Sequence, residues 1–164
     1  RLDEIGPLLS TSGADVVDKL RQMFDRQKRL ERELESLKAK AATSATQDLA
    51  GQAREIGGFR VVAARVDGLD AKALREGVDG LKQRLVDCVV LLASASEGKV
   101  ALAGGVNGSA LAKIKAGDVV AHVAAQIGGK GGGRADMAQG GGVDSPTLDA
   151  ALAELPAWIS ARAA

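Results

Sequence analysis

The stretch GGKGGGRADMAQGGG, Gly128 to Gly142, carries eight glycines in fifteen residues and constrains this chain more than any other segment. It lies between two helical patterns of one small domain, with apolar residues on both sides. A structureless run of that length is unusual inside a compact domain, and long loops in such places usually serve a function. It does not fit the NTPase phosphate loop, which needs Lys followed by Ser or Thr after a strand. Here Gly131 follows Lys130, after a helix. The dinucleotide pattern G-x-G-x-x-G fails as well, ending on Arg134 when started at Gly129 and on Asp136 when started at Gly131. Two readings stay open: a structural glycine-rich turn, and a surface of bare N–H groups able to hold an anion beside the cations Lys130 and Arg134. Met137 is the candidate anchor of the segment to the core.

Upstream, a helix is expected from Ala14 to about Ala41. Val16, Leu20, Met23, Gln27, Leu30, Leu34 and Leu37 alternate spacings of four and three, which is a heptad seam with one polar member. With Leu20 at position a, the g and e positions hold Arg26/Glu31 and Glu33/Lys38, opposite charges that would pair across a parallel dimer. At ~1.5 Å per residue the rod is on the order of 40 Å long. A single seam must pack on a second chain, on a preceding helix or on the following domain. Leu2 to Leu9 fits the tail of a preceding helix, with Ser10–Gly13 as the turn. Ala42–Thr46 reads as a polar break, followed by a short helix with Leu49, Ala53 and Ile56 on one face and Gly57 at its end.

From Gly58 the pattern changes. Phe59–Val66 predicts a strand. Leu74, Val78, Leu81 and Leu85 predict a helix capped by Asp70. Cys88–Ala95 and Lys99–Ala103 predict a hairpin, and Asn107–Lys115 a polar connection. Val119, Val120, Val123 and Ile127 mark a helix over Asp118–Ile127. Ser145-Pro146 opens a last helix with Leu148, Leu152, Leu155 and Ile159 inside. The fold class is thus α/β of the α+β type: a helical coiled-coil stem over residues 1–45, then a β-α-β-β-α-α globular domain over 46–164.

Composition narrows the function. With no Tyr, two Phe and one Trp, the core is aliphatic, and the chain lacks the several exposed aromatics that stack single-stranded bases. A net charge of +1 does not announce nucleic-acid binding. Yet Lys99, Lys113, Lys115, Lys130 and Arg134 fall in a span whose one carboxylate is Asp118. Any nucleic acid would be held through its backbone. The lone Cys88 and lone His122 lack partners at ligand spacing, so no metal site is expected and both read as structural. Trp158 reads as a core or dimer contact. No Ser/His/Asp arrangement is present. The longest apolar run, Cys88–Ala93, is too short to cross a bilayer, so no membrane partner is expected. One Cys suits a cytoplasmic setting. The chain opens on Arg1 without a basic-then-apolar leader, and is expected to be cut from a longer one.

The glycine stretch resembles, nearly letter for letter, the signature of the C-terminal (C-Ala, DHHA1-type) domain of alanyl-tRNA synthetases. KAGDVVAHVAAQI (Lys115–Ile127), VVLLASASEGKVALAGGV (Val89–Val106) and LERELESLKAK (Leu30–Lys40) are similar to that family too. Ala135 departs from it, where Pro is usual. The resemblance implies a DHHA1-like domain that grips the elbow of alanine-specific tRNA, coupling aminoacylation to editing. It implies tRNA contacts from Gly128, Gly129, Lys130, Gly131, Gly132, Gly133, Arg134, Gln139 and Gly140, with Lys113 and Lys115 extending the surface. It also implies a stem that aids homodimerisation through Val16–Leu37, and the rest of the synthetase as partner. No catalytic residue is expected in this chain, and ATP and zinc belong to the missing N-terminal part. Two alternatives are a DHHA1 domain attached to a DHH phosphoesterase, or a coiled-coil dimerisation module. The first carries G-G-G-H, where this chain has Gly131-Gly132-Gly133-Arg134.

Overall fold

The computed structural model of the chain describes residues 15–144 and 146–164. The helix expected over Leu2–Leu9, the turn Ser10–Gly13 and the Ser145 cap lie outside them. The chain divides into two compact units, Arg1–Ala39 and Lys40–Ala164.

Helix α1 spans Val16–Gly51. The break expected at Ala42–Thr46 is therefore absent. Alanines at 39, 41, 42, 45 and 50 give this part high helix propensity. Thr46 is also buried, its side chain lying over Gly77 and Gly80 of the second helix. In the first unit the seam is bare: Leu30 and Leu34 are 53% exposed and Leu37 is 63%. Leu20 and Met23 are exposed too, as is Phe24 beside the seam, while Val16, at the helix start, is buried. Gln27 satisfies its amide on its own helix, donating to Glu31 at 2.9 Å.

The second unit contains β1 (Arg54–Ile56), β2 (Phe59–Arg65), α2 (Ala71–Leu85), β3 (Cys88–Ser96), β4 (Lys99–Asn107), a 3-10 turn (Gly108–Ala112), α3 (Ala116–Gln126), β5 (Lys130–Gly133), β6 (Met137–Val143) and α4 (Pro146–Ala163). The β-α-β-β-α-α series is present, and three strands join it. One replaces the short helix expected through Ile56. Gly57 and Gly58, both at positive φ, make the tight β1–β2 turn instead of a helix end. The other two strands come from the glycine stretch. All six form one sheet in the order β1-β2-β3-β4-β6-β5, with β2 and β3 parallel and the other pairs antiparallel.

Helix α2 covers one face, burying Leu74, Val78 and Leu81 against Val62, Val90 and Leu92. Helices α3 and α4 cover the other, burying Val119, Val120, Leu155 and Ile159 against Val61, Val89 and Leu91. Strand β3 is buried on both faces, which is why its sequence is an unbroken apolar run. Cys88 begins it with no exposure, and burial pushes its thiol up to about 11. Asp70 caps α2, accepting from the Ala73 N–H at 2.8 Å.

The turn after β2 is held by Asp67, which accepts from the Ala95 N–H at 2.9 Å and from Arg65 Nε at 2.9 Å. The Ala95 hydrogen bond, with Arg65 beside it, holds this carboxyl below the ordinary aspartate range. A lowered folded value means stability present above the unfolded value of about 3.9 and lost as pH falls through the folded one. Asp67→Asn is therefore expected to weaken the chain at neutral pH and to flatten its loss of stability below about pH 4. Urea midpoints from pH 7 down to 3 check this, and parallel wild-type and variant curves would refute it.

Candidate nucleic-acid interface

Strands β5 and β6 form a hairpin closed over Arg134–Met137, where the Arg134 N–H donates to the Met137 carbonyl at 2.9 Å. Strand β6 pairs with β4 over seven residues, and β5 is the outermost strand. The Arg134 bond sets the phase. Because bonded and non-bonded pairs alternate in an antiparallel ladder, Gly132 and Lys130 bond to β6, while the N–H groups of Gly131 and Gly133 face the open edge.

The glycines are first a packing device. A Cβ on Gly131 would stand 2.6 Å from Val120 Cγ1, and one on Gly140 would stand 2.8 Å from both that atom and Gly131 Cα. One on Gly142 would meet Ile127 at 2.4 Å. Bare strands let α3 settle onto the sheet. Gly128 takes positive φ and ends α3: its N–H reaches the Ala125 carbonyl at 3.4 Å, and that of Gly129 the Ala124 carbonyl at 2.8 Å. Those two N–H groups are thus spent on the helix end. Gly132 differs, with nothing within 4 Å of an added Cβ.

The candidate residues do not all converge. Lys130 and Arg134 are exposed on the hairpin. Arg134 meets Asp136 at 3.4 Å, with 75% and 47% of the two side chains exposed, a pairing that water and salt loosen readily. Lys115 precedes α3, whose first N–H, on Ala116, donates to the Ala135 carbonyl at 2.8 Å, so Lys115 stands beside the hairpin turn. Lys113 instead donates to the Ala163 carbonyl at the end of α4. Gln139, exposed, reaches over the other sheet face to the Ala71 carbonyl at 3.3 Å.

Lys82 was not legible as a member of this surface. Its Nζ donates to the Asp136 carbonyl at 3.0 Å, next to the Val106 N–H at 3.1 Å. The one sequence signal is Gly105, where a Cβ would stand 2.7 Å from Lys82 Cδ. The edge and turn therefore gather Lys130, Arg134, Lys115 and Lys82 around free backbone N–H groups, an arrangement suited to phosphate oxygens.

Across α3 from this edge, the His122 ring stacks on Trp158 at 4.6 Å and meets the Gln126 amide at 3.0 Å, with the Arg162 guanidinium 4.1 Å from the Trp158 ring centre. Both rings are half-buried packing partners of α3 and α4. Among the described residues no three His, Cys, Asp or Glu side chains cluster as metal ligands, and no helix is long and apolar enough to cross a membrane.

Residues 58–161 match the DHHA1 domain family, the class to which this sheet with helices on both faces corresponds. The crystal structure of the C-Ala domain from Aquifex aeolicus alanyl-tRNA synthetase is similar, with a TM-score of 0.61 and 31% identity over 66% of this chain and 97% of that one. An alanine–tRNA ligase of Stenotrophomonas maltophilia is 59% identical over 99% of this chain, and one of Xanthomonas campestris is 57% identical over 97%. In both cases the chain spans 18% of the relative's length. The chain belongs to the DHHA1 family, and within it to the C-Ala domains of alanyl-tRNA synthetases.

Proposed function

We propose that this chain is the tRNA-gripping module of an alanine–tRNA ligase, holding the elbow of alanine-specific tRNA so that its acceptor end can move between aminoacylation and editing sites. Those sites, with their ATP and zinc, are assigned to the parts of the relatives that this chain does not span. The single observation that carries the reading is the free edge of β5, where bare glycine N–H groups adjoin Lys130 and Arg134. Contact is to the sugar-phosphate backbone, so shape is read rather than sequence. Arg134 stands where a DHH-linked DHHA1 domain would carry His, which disfavours the phosphoesterase reading. The setting is cytoplasmic.

The test is an anisotropy titration of folded tRNA with wild type, Lys130→Ala and Arg134→Ala over a range of salt. Each variant is expected to bind several-fold more weakly at low salt, with the slope of log K against log salt reduced by up to about 0.9. Variants that match wild type at every salt concentration would make the hairpin purely structural.

The stem is proposed to join two copies through Leu20, Met23, Leu30, Leu34 and Leu37, with Val16 at the start and Gln27 in the middle of the same seam. The exposure of that apolar row within the first unit favours this reading.

A further inference from the structure

We propose that the other edge of the sheet, β2 at Ala63–Arg65, takes an extended segment of a protein partner, added as a strand between the end of α1 and α4. Strand β1 is only three residues long and pairs with Phe59, Arg60 and Val61, leaving the rest of β2 uncovered by any strand among the described residues. The phase of the open part is set by two bonds to β3. The Arg60 N–H donates to the Asp87 carbonyl at 3.0 Å, and the Val66 N–H to the Ala93 carbonyl at 2.7 Å. Residues 60, 62, 64 and 66 thus face β3, and residues 59, 61, 63 and 65 face away. Ile56 and Arg54 lie opposite Phe59 and Val61. Among the described residues no strand lies opposite Ala63 or Arg65, so their N–H and C=O groups open outward.

Those of Ala63 open into a cleft of about 440 Å³ with apolar walls, Leu49 on the α1 side and Leu152 and Pro156 on the α4 side. Pro156 lies inside α4 and has no N–H, so the Leu152 carbonyl lacks its ordinary helical donor. An uncovered strand edge is a template for another strand, and proteins usually blunt or cover it. Here the edge sits in a cleft instead, which suits strand addition: backbone bonds supply affinity and the walls take alternate side chains. About three residues, rising ~3.3 Å each, cover Ala63 to Arg65.

Charge sets the partner's chemistry. Arg54 is exposed and is the one formally charged residue lining the cleft among the described residues. Arg65 is already engaged by Asp67 and Asp144, at 2.9 and 3.3 Å. The fitting segment is therefore apolar, β-branched and carries a carboxylate placed beside Arg54, running antiparallel to β2 in line with β1. The site lies at the opposite edge of the sheet from β5, so it leaves that edge free.

The probe is the hexapeptide Val-Thr-Val-Glu-Val-Thr, acetylated and amidated, titrated into the ¹⁵N-labelled chain. Saturable amide shifts are expected at Ala63 and Arg65, with a midpoint of about 1 mM or tighter. N-methylation of the alternate peptide amides that face β2 should weaken binding at least tenfold. Methylation of the other set should leave it unchanged. Ala153→Arg, at an exposed helix position on the cleft wall, should abolish the shifts without unfolding the chain. Arg54→Glu should weaken this peptide and favour its Lys analogue. Absence of saturable shifts at Ala63 and Arg65, or equal loss from both methylated peptides, overturns the proposal.

Discussion

Gly140→Val is expected to cost about 3 kcal/mol or more of folding stability, the overpacking penalty of a filled interior position. The added Cβ alone would stand 2.8 Å from Gly131 Cα, 2.8 Å from Val120 Cγ1 and 2.9 Å from the Lys130 carbonyl oxygen. Two of those atoms are backbone of the neighbouring strand and cannot turn aside. Val120 is fully buried between α3 and the sheet, so relief requires α3 to lift or β5 to detach. Gly132→Ala is the control. It sits one position along the same strand from Gly131, meets nothing within 4 Å and has no positive φ, so its effect should stay within about 1 kcal/mol. Urea unfolding of the three chains gives the comparison. If Gly140→Val unfolds like wild type, β5 and β6 do not pack beneath α3 as described.

The second large effect concerns the stem. Leu30→Glu and Leu34→Glu together are expected to weaken self-association by more than about 100-fold. Each leucine is 53% exposed in the first unit and would be buried in a dimer. Burying one leucine contributes ~1.5–3 kcal/mol, and the double variant removes two from each copy. Four carboxylates would also be brought together. The helix itself should survive, since Glu is a good helix former. Sedimentation equilibrium of wild type and variant measures the shift. A wild type that stays monomeric at high concentration would remove the dimer from the account.

The elements that were legible in the sequence were those whose side chains carry a period. Leu74, Val78 and Leu81 mark α2 because each third or fourth residue must face β3. The run from Cys88 to Ala93 marks a strand because both of its faces are covered. The hairpin β5–β6 carries no such mark. Glycine has low strand propensity and no side chain to alternate. Its strand state is imposed by β4 pairing on one side and by Val120 and Ile127 pressing from α3. For the same reason the segment reads as a surface of free N–H groups, whereas those of Gly128 and Gly129 close a helix and that of Gly132 bonds within the ladder.

Two other differences have local causes. The polar letters of Ala42–Thr46 suggested a break, but Thr46 is buried over Gly77 and Gly80, contacts that come from 31 or more residues away in the chain. Lys82 joins the hairpin turn across 54 residues, which only the sheet order reveals. Lys113, close in sequence to Lys115, is drawn instead to the end of α4.

The proposed grip holds tRNA at the free edge and turn of the glycine hairpin. Amide mapping of the ¹⁵N-glycine-labelled chain with folded alanine-specific tRNA tests it most directly. Gly131 and Gly133, whose N–H groups face outward, are predicted to shift or broaden first, while Gly57 and Gly58 at the opposite edge stay unchanged. Shifts gathered at Gly57 and Gly58, with Gly131 and Gly133 unmoved at saturation, would contradict it.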